Sequence, residues 1–221
     1  MHDELKGRTT MTAVTSTSLR VEIVLDLTCV HSYIGFTRFE RVADRHRAAG
    51  GDLDVVFLPF QVSPDAPPEG RPLAEVHRGF FGSAEQAAQA TASMAAVGAK
   101  DGLKLNFDRA VHVNTFEAHR LLAAAARQGL GEPMAERIFR AYLTDGLNIG
   151  DRATLDRLAA ETGVRPSPDG AGELRAELAR VRALGIRSVP QFDFGGTVRL
   201  TGAQSEETFQ RAFEAAAVGA G

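Results

Sequence analysis

The feature that most restricts the fold is an apolar run, Val21-Glu22-Ile23-Val24-Leu25-Asp26-Leu27, that breaks at Thr28-Cys29 and resumes with helical spacing through Tyr33, Ile34, Phe36, Phe39 and Val42. A short apolar run stopped in this way reads as a buried strand feeding a helix. The helix ends near Gly50-Gly51, and a second apolar run, Leu53-Asp54-Val55-Val56-Phe57-Leu58-Pro59-Phe60, follows it. Strand, helix and strand in that order form a parallel βαβ unit, because parallel neighbours need a long crossover. Toward the other end, Gln191-Phe192-Asp193-Phe194 and Thr197-Val198-Arg199-Leu200-Thr201 flank Gly195-Gly196. Two glycines between alternating runs mark a two-residue hairpin. A last helix is expected from Ser205 to about Ala217, with Glu206 and Glu207 favourable at its positive end.

Between these parts the spacing is different. Residues 63–72 are rich in proline and glycine and leave the sheet as a loop. From Ser83 to about Leu184 the apolar period is helical, with Ser83 and Gln86 placed as a capping box and Asn114 and Glu117 as an Asn-led variant. Further helices are expected at 133–143, at 151–162 with Asp151 as N-cap and Gly163 as stop, and at 173–184. So long a regular segment is not a loop. The expected fold is α/β, a thioredoxin fold (βαβ–ββα) interrupted by an all-helical insertion domain. The divisions are a flexible N-terminal tail over 1–19, a thioredoxin-like domain from 20–62 and 185–221, and the helical insertion over 63–184.

Composition narrows the function. Net charge is −3 over 221 residues, with acids and bases mixed throughout, so no basic stripe suits a nucleic acid. The first 19 residues are polar and Thr/Ser-rich without an apolar centre, which argues against a secretory signal and marks Met11 as an alternative start. No membrane partner is indicated. A single cysteine cannot form an internal disulfide, and cytoplasmic residence is expected. His46, His77 and His112 show no ligand spacing, so no metal site is expected.

That single cysteine, Cys29, stands where the first strand turns into the helix. There it faces unpaired backbone N–H groups and the positive end of the helix dipole, which favour thiolate. If the dipole and one cationic neighbour each contribute about 1 to 2 kcal/mol, the pKa falls by one to three units from ~8.5. Cys29 is therefore expected to be partly exposed and to titrate below ~7.5. His31 could hold the thiolate or accept its proton. Ser32, three residues on, shares the helix face of Cys29 and could donate to its sulfur. Asp26 closes the strand as either a proton relay or a loop cap. Asn114 reads most simply as an N-cap, and His119 and Arg120 as exposed helix residues.

The stretch Asp26-Leu27-Thr28-Cys29-Val30-His31-Ser32-Tyr33-Ile34-Gly35, with Arg38-Phe39-Glu40 after it, resembles the opening of the DsbA-like thioredoxin-fold family that includes FrnE-type proteins and 2-hydroxychromene-2-carboxylate isomerases. Asn114-Thr115-Phe116-Glu117-Ala118-His119-Arg120-Leu121 is similar to that family's mid-domain helix start. Gly185-Ile186-Arg187-Ser188-Val189-Pro190-Gln191-Phe192 is similar to its cis-proline loop, and Thr201-Gly202-Ala203-Gln204 to its turn into the last helix. Where the family commonly has Cys-Pro-Trp-Cys, this chain has Cys29-Val30-His31-Ser32.

The resemblance implies a cis Val189-Pro190 bond beside the sulfur, with the Val189 backbone free to pair with substrate. It also implies that Asn114, His119 and Arg120 border the groove facing Cys29. Asp26 near the sulfur would relay protons. The activity implied is thiol–disulfide exchange with Cys29 as sole nucleophile and His31 and Ser32 beside it. Because Ser32 cannot resolve a mixed disulfide, an external thiol must. No tightly bound cofactor is expected; a low-molecular-weight thiol would be a co-substrate, and a disulfide or thiol compound the partner. A homodimer is compatible with the resemblance. Two alternatives stay open: a glutathione-dependent or other thiol-dependent isomerase or tailoring enzyme on an aromatic or polyketide-like substrate, and an inactive thioredoxin-fold binding module.

Overall fold

A computed structural model describes residues 18–219. Four strands make the main sheet: β1 (Leu19–Leu25), β2 (Leu53–Pro59), β5 (Gln191–Phe194) and β6 (Val198–Thr201), in the order β2-β1-β5-β6. β1 and β2 are parallel, with Val21 opposite Val55 and Ile23 opposite Phe57. β5 runs antiparallel to β1, with Ile23 opposite Phe192, and β6 runs antiparallel to β5. The crossover between β1 and β2 is α1 (Val30–Ala48). Gly195 and Gly196 take φ of 59° and 74° in the β5–β6 turn, the left-handed pair that a tight hairpin needs. α8 (Glu206–Gly219) closes the fold beside α1. The tail expected over 1–19 falls mostly outside the described residues, and Leu19 already belongs to β1.

The alternation of β1 sorts its side chains to two faces. Val21, Ile23 and Leu25 join Phe36, Phe39, Phe192, Phe194, Phe209 and Phe213 in the main core. Val24 points to the other face, where it meets Leu58 and Val181 under the last inserted helix. Phe39 is the hub of the first face, with ring centres 5.6 Å from Phe192, 5.9 Å from Phe209 and 5.9 Å from Phe213.

The inserted segment holds α2 (Leu73–Phe81), α3 (Ala84–Lys100), α4 (Phe116–Ala126), α5 (Gly131–Leu143), α6 (Arg152–Thr162) and α7 (Ala171–Ala183). It is not all-helical. Two short strands, β3 (Arg71–Pro72) and β4 (Val111–His112), pair antiparallel within it, where a two-residue match is too short to leave a period-2 signature. α2, too, starts directly after the Pro/Gly-rich stretch and carries only nine residues. Nor does the segment keep a core of its own: Phe139 of α5 stacks on Tyr33 at 5.1 Å and lies 6.1 Å from Phe36, within the same apolar cluster as the sheet. α2 and α3 are the exception, since α2 buries no residue and α3 buries only Ala87 and Gly98.

Two details bring α1 onto the end of the sheet. A Cβ on Gly35 would meet Pro190 Cγ at 3.0 Å and Ala203 Cα at 3.3 Å, so the close approach of helix and loop requires glycine there. One turn on, Arg38 grips Asp101 with both arms of its guanidinium (2.9 and 2.7 Å) and donates to the carbonyls of Ala203 (3.1 Å) and Gln204 (3.2 Å). A bidentate pair of this kind fixes orientation as well as distance.

Candidate active site

Cys29 is the N-cap of α1, with extended backbone (φ −82°, ψ 114°). Its N–H donates to the Asp26 carbonyl at 3.0 Å and its own carbonyl accepts from Tyr33 N–H at 3.1 Å, so one residue both closes the turn after β1 and starts the helix. The sulfur makes no full capping hydrogen bond. It faces the cis Val189-Pro190 bond, with Sγ 3.8 Å from the Val189 carbonyl oxygen. The Pro190 carbonyl in turn accepts from Gly202 N–H at 2.8 Å, which pins the proline loop to the turn before α8. The expected juxtaposition of Cys29 with Val189 and Pro190 is therefore present.

The charge state differs from expectation. Burial pushes the Cys29 thiol up from its ordinary value, and the Asp26 carboxylate adds to that rise. The Ser32 hydroxyl and the backbone N–H groups of Ser32 and His31 pull the other way without overcoming it. The dipole argument counted favourable groups at the helix start but not desolvation of the sulfur, which wins here. Half-buried, the thiol also points at a carbonyl oxygen, an acceptor that suits S–H and not S⁻.

Ser32 is fully buried, and its hydroxyl has no hydrogen-bond partner among the described residues. It is nonetheless the strongest of the groups that favour the thiolate. The side chain of His31 is exposed, and what reaches the sulfur is its backbone N–H.

Asp26 is fully buried behind the cysteine. Oδ2 accepts from Val62 N–H at 2.7 Å and from Thr28 Oγ1 at 3.3 Å; Oδ1 has no hydrogen bond among the described residues and lies 3.6 Å from His119 Nε2. That nitrogen is also 2.9 Å from the Phe60 carbonyl, which can only accept, so Nε2 carries a proton. Asp26 thus ties β1 to the loop after β2, which is the cap weighed for it.

His119 corrects its simplest reading, since it is buried. The signal was available: three residues after Phe116 and three before Leu122, it lies on the apolar stripe of α4. Arg120 sits elsewhere, paired with Glu117 at 3.1 Å and lining a cavity of about 570 Å³ with Arg152 and Asp156 that shares no residue with the surroundings of Cys29. Asn114 commits its amide to structure. Oδ1 accepts from Phe116 N–H (2.9 Å) and Gln61 Nε2 (3.0 Å), and Nδ2 donates to the Pro64 carbonyl (2.6 Å). The N-cap of α4 is Thr115 and not Asn114, which stands one residue earlier and closes a turn on Phe116 N–H; Glu117 turns to Arg120, so the expected capping box is absent. Among the described residues, no group of three or more His, Cys, Asp or Glu side chains is placed to hold a metal ion.

The family model described as DSBA-like thioredoxin domain matches residues 20–214. The chain belongs to that family. It is 25% identical over 209 residues to the uncharacterized protein YwbO of Bacillus subtilis, covering 88% of this chain and 96% of YwbO. Among solved structures it is similar to the probable DsbA oxidoreductase SCO1869 from Streptomyces coelicolor, with 28% identity, 90% of each chain covered and a TM-score of 0.81. The cytosolic disulfide reductase DsbM from Pseudomonas aeruginosa, also solved with GSH, shares the fold at 22% identity, with 90% of this chain and 96% of DsbM covered and a TM-score of 0.56. The DsbA-like family is one of thiol oxidoreductases, and no described helix is long and apolar enough to cross a membrane.

Proposed function

We propose that this protein is a monothiol thiol–disulfide oxidoreductase that works in the reductive direction, attacking disulfides through Cys29 and relying on an external thiol such as glutathione for turnover. The observation that carries the reading is the sulfur of the only cysteine set at the start of α1 against Val189 of the cis-proline loop, with a serine where a second thiol would stand. In the first step the Cys29 thiolate takes one sulfur of a disulfide, and the other leaves as thiolate with the electron pair of the broken bond. A glutathione thiolate then attacks the substrate sulfur of the mixed disulfide and releases Cys29. Ser32 cannot perform that second step, because a hydroxyl is un-ionised at neutral pH and does not displace a thiolate.

The raised thiol pKa supports the reductive reading, with excess glutathione setting the direction. A thiol whose thiolate is poorly stabilised is a strong nucleophile once ionised but a poor leaving group, so its disulfide is a weak oxidant. That behaviour matches a reductase, the activity named for DsbM, rather than an oxidant. The Val189 backbone would line up the incoming disulfide, with Pro190 closing the other side. The test is intact mass after incubation with glutathione disulfide. Wild type gains one glutathionyl group that added glutathione removes, with a rate that rises from pH 7 to 9; Cys29→Ser gains none. Absence of any adduct on folded wild type up to pH 9 would mean a binding module and not an enzyme of this class.

A further inference from the structure

The structure assigns Arg38 as a positioning residue for the exchange reaction: its guanidinium holds the Val189-Pro190 loop in place against α1, and so against Cys29, and ties that placement to the end of α3. Its part in the reaction rests on the thiol-exchange reading; its tie to the loop does not. α1 carries the nucleophile at one end and the anchor of the loop further along the same rod. Cys29 is the N-cap, and Gly35 and Arg38, three apart, share a helix face. At Gly35 the helix passes so close to the loop that a Cβ would stand 3.0 Å from Pro190 Cγ and 3.3 Å from Ala203 Cα. At Arg38, Nη1 donates to the Ala203 and Gln204 carbonyls at 3.1 and 3.2 Å. Those residues directly follow Gly202, whose N–H holds the Pro190 carbonyl at 2.8 Å, and Gln204 N–H donates back to the Gly202 carbonyl at 2.9 Å. A shift of the guanidinium is thus passed through one short turn to Pro190, and with it to the Val189 carbonyl that lies 3.8 Å from Sγ.

The other arms of the same group reach the inserted segment. Nε and Nη2 take the two oxygens of Asp101, the C-cap of α3, at 2.9 and 2.7 Å, and Arg41 Nη2 holds the Asp101 carbonyl at 2.5 Å. Among the described residues, the ion pairs of Asp101 with Arg38 and Arg41 are the only ones that join residues 73–101 to the rest of the chain. α2 and α3 bury few residues, so this end is held by charge where apolar packing is thin.

Stability alone does not account for the arrangement. The Arg38 and Asp101 side chains are only 19% and 8% exposed, and in such a pair the cost of desolvation offsets the attraction. What a guanidinium with all three nitrogens engaged supplies is a fixed geometry. A lysine keeps the charge but concentrates its donors at one point, and cannot span a carboxylate on one side and two carbonyls on the other. Exchange needs that geometry, because the attacking sulfur and both sulfurs of the disulfide must lie in line along the Val189 backbone. Displacing the aligning surface by about 1 Å can cost roughly a hundredfold in rate. A small alkylating reagent needs only access to the sulfur.

Two rate constants on Cys29 are measured at one pH, so that the thiolate fraction enters both alike: glutathionylation by glutathione disulfide, followed by intact mass, and alkylation by iodoacetamide. Arg38→Lys should lower the ratio of the first to the second by about tenfold or more, and Asp101→Asn, which keeps one oxygen for the guanidinium, by about threefold. Alkylation itself should stay near its wild-type rate. Arg45→Gln, which removes a pair with Glu206 on the same helix, should leave both rates unchanged. Amide hydrogen exchange read residue by residue supplies the second measurement. Gly202 N–H should exchange faster in Arg38→Lys and also in Asp101→Asn, although Asp101 makes no hydrogen bond to that turn, while the amides of β5 keep their wild-type protection. An unchanged ratio in Arg38→Lys, or two rates that fall together, would mean that Arg38 only supports the fold; the positioning role is then overturned and the thiol reading stands. Unchanged Gly202 exchange overturns it as well, since the loop is the route by which Arg38 acts. If wild type is alkylated but takes no glutathionyl group, the thiol reading falls and the positioning role falls with it. Should Arg38→Lys not fold, Asp101→Asn carries both measurements with the same outcomes.

Discussion

Replacing Ser32 with alanine should make the protein more stable and its cysteine harder to ionise, two effects that an ordinary helix serine would not couple. The hydroxyl is fully buried without a hydrogen-bond partner among the described residues, and it is the strongest group favouring the Cys29 thiolate. Leaving a buried polar group unsatisfied costs about 1 to 3 kcal/mol, so its removal, less a small packing loss, should stabilise the fold by ~1 kcal/mol. For a chain of this length that corresponds to a rise in Tm of about 2 to 4 °C. Losing a donor to the thiolate should raise the thiol pKa further. At pH 7 the thiolate fraction then drops by more than the gain in intrinsic nucleophilicity restores, so alkylation slows. Above both pKa values the order reverses, and Ser32→Ala should react faster than wild type. Iodoacetamide rates from pH 6 to 11, beside thermal melts under reducing conditions, read both effects. Superimposable pH profiles would show that the hydroxyl does not touch the sulfur's chemistry. A fall in Tm would show that it has a partner in solution that offsets the cost of its burial.

Ser32→Cys should form an internal disulfide and perform peptide disulfide exchange without added thiol, because two positions three apart at a helix start share a face; two free thiols that never pair, on a normally folded chain, would contradict the assigned site. Asp26→Asn removes a negative charge that raises the Cys29 pKa while keeping an oxygen for Val62 N–H, so the alkylation midpoint should move down; an unchanged or higher midpoint refutes the electrostatic account. Glu40 offers a stability test away from the site. Burial, then the hydrogen bond and charge of Glu132, raise its carboxyl pKa to about 9, so the folded state keeps a proton that the unfolded chain releases. Its contribution is most favourable below the unfolded value of ~4.5 and is lost as pH climbs toward about 9, at up to ~1.4 kcal/mol per pH unit. Glu40→Gln should therefore leave stability unchanged near pH 4 and raise it increasingly between pH 5 and 9, read as urea midpoints; a constant offset would show that the proton is not the cause.

The sheet and its flanking helices were legible in the sequence because each rests on a strong local signal. The β1 run, the 3.6-period of α1 and the Gly195-Gly196 pair need only neighbours a few residues apart. What escaped was set by contacts distant in sequence. β3 and β4 are two residues each and exist only because Arg71 and His112 are brought together. His119 looked like surface until Phe60 and Asp26 closed over it, 59 residues away in the first case. Arg120, adjacent in sequence, went to a different cavity, since neighbours on a helix point about 100° apart.

The cysteine shows the same division most sharply, and it bears on mechanism. Its position followed from local sequence, and so did every group that favours its thiolate: the N–H groups of His31 and Ser32 and the Ser32 hydroxyl are all within three residues. The opposing influence of burial is tertiary. The Val189 carbonyl comes from 160 residues away and the cover over Asp26 from Val62. A helix start that favours the anion is thus placed in surroundings that favour the thiol. The balance is most easily shifted by whatever occupies the face of Cys29. A disulfide lying along Val189 would take that carbonyl out of the sulfur's reach. On this argument the thiol is kept protonated until substrate is bound, and alkylation by small neutral reagents should be slower at pH 7 than exchange with a disulfide that fills the site. Equal rates for the two, after correction for the reagents' rates with free cysteine, would mean that the resting thiol is already in its reactive state.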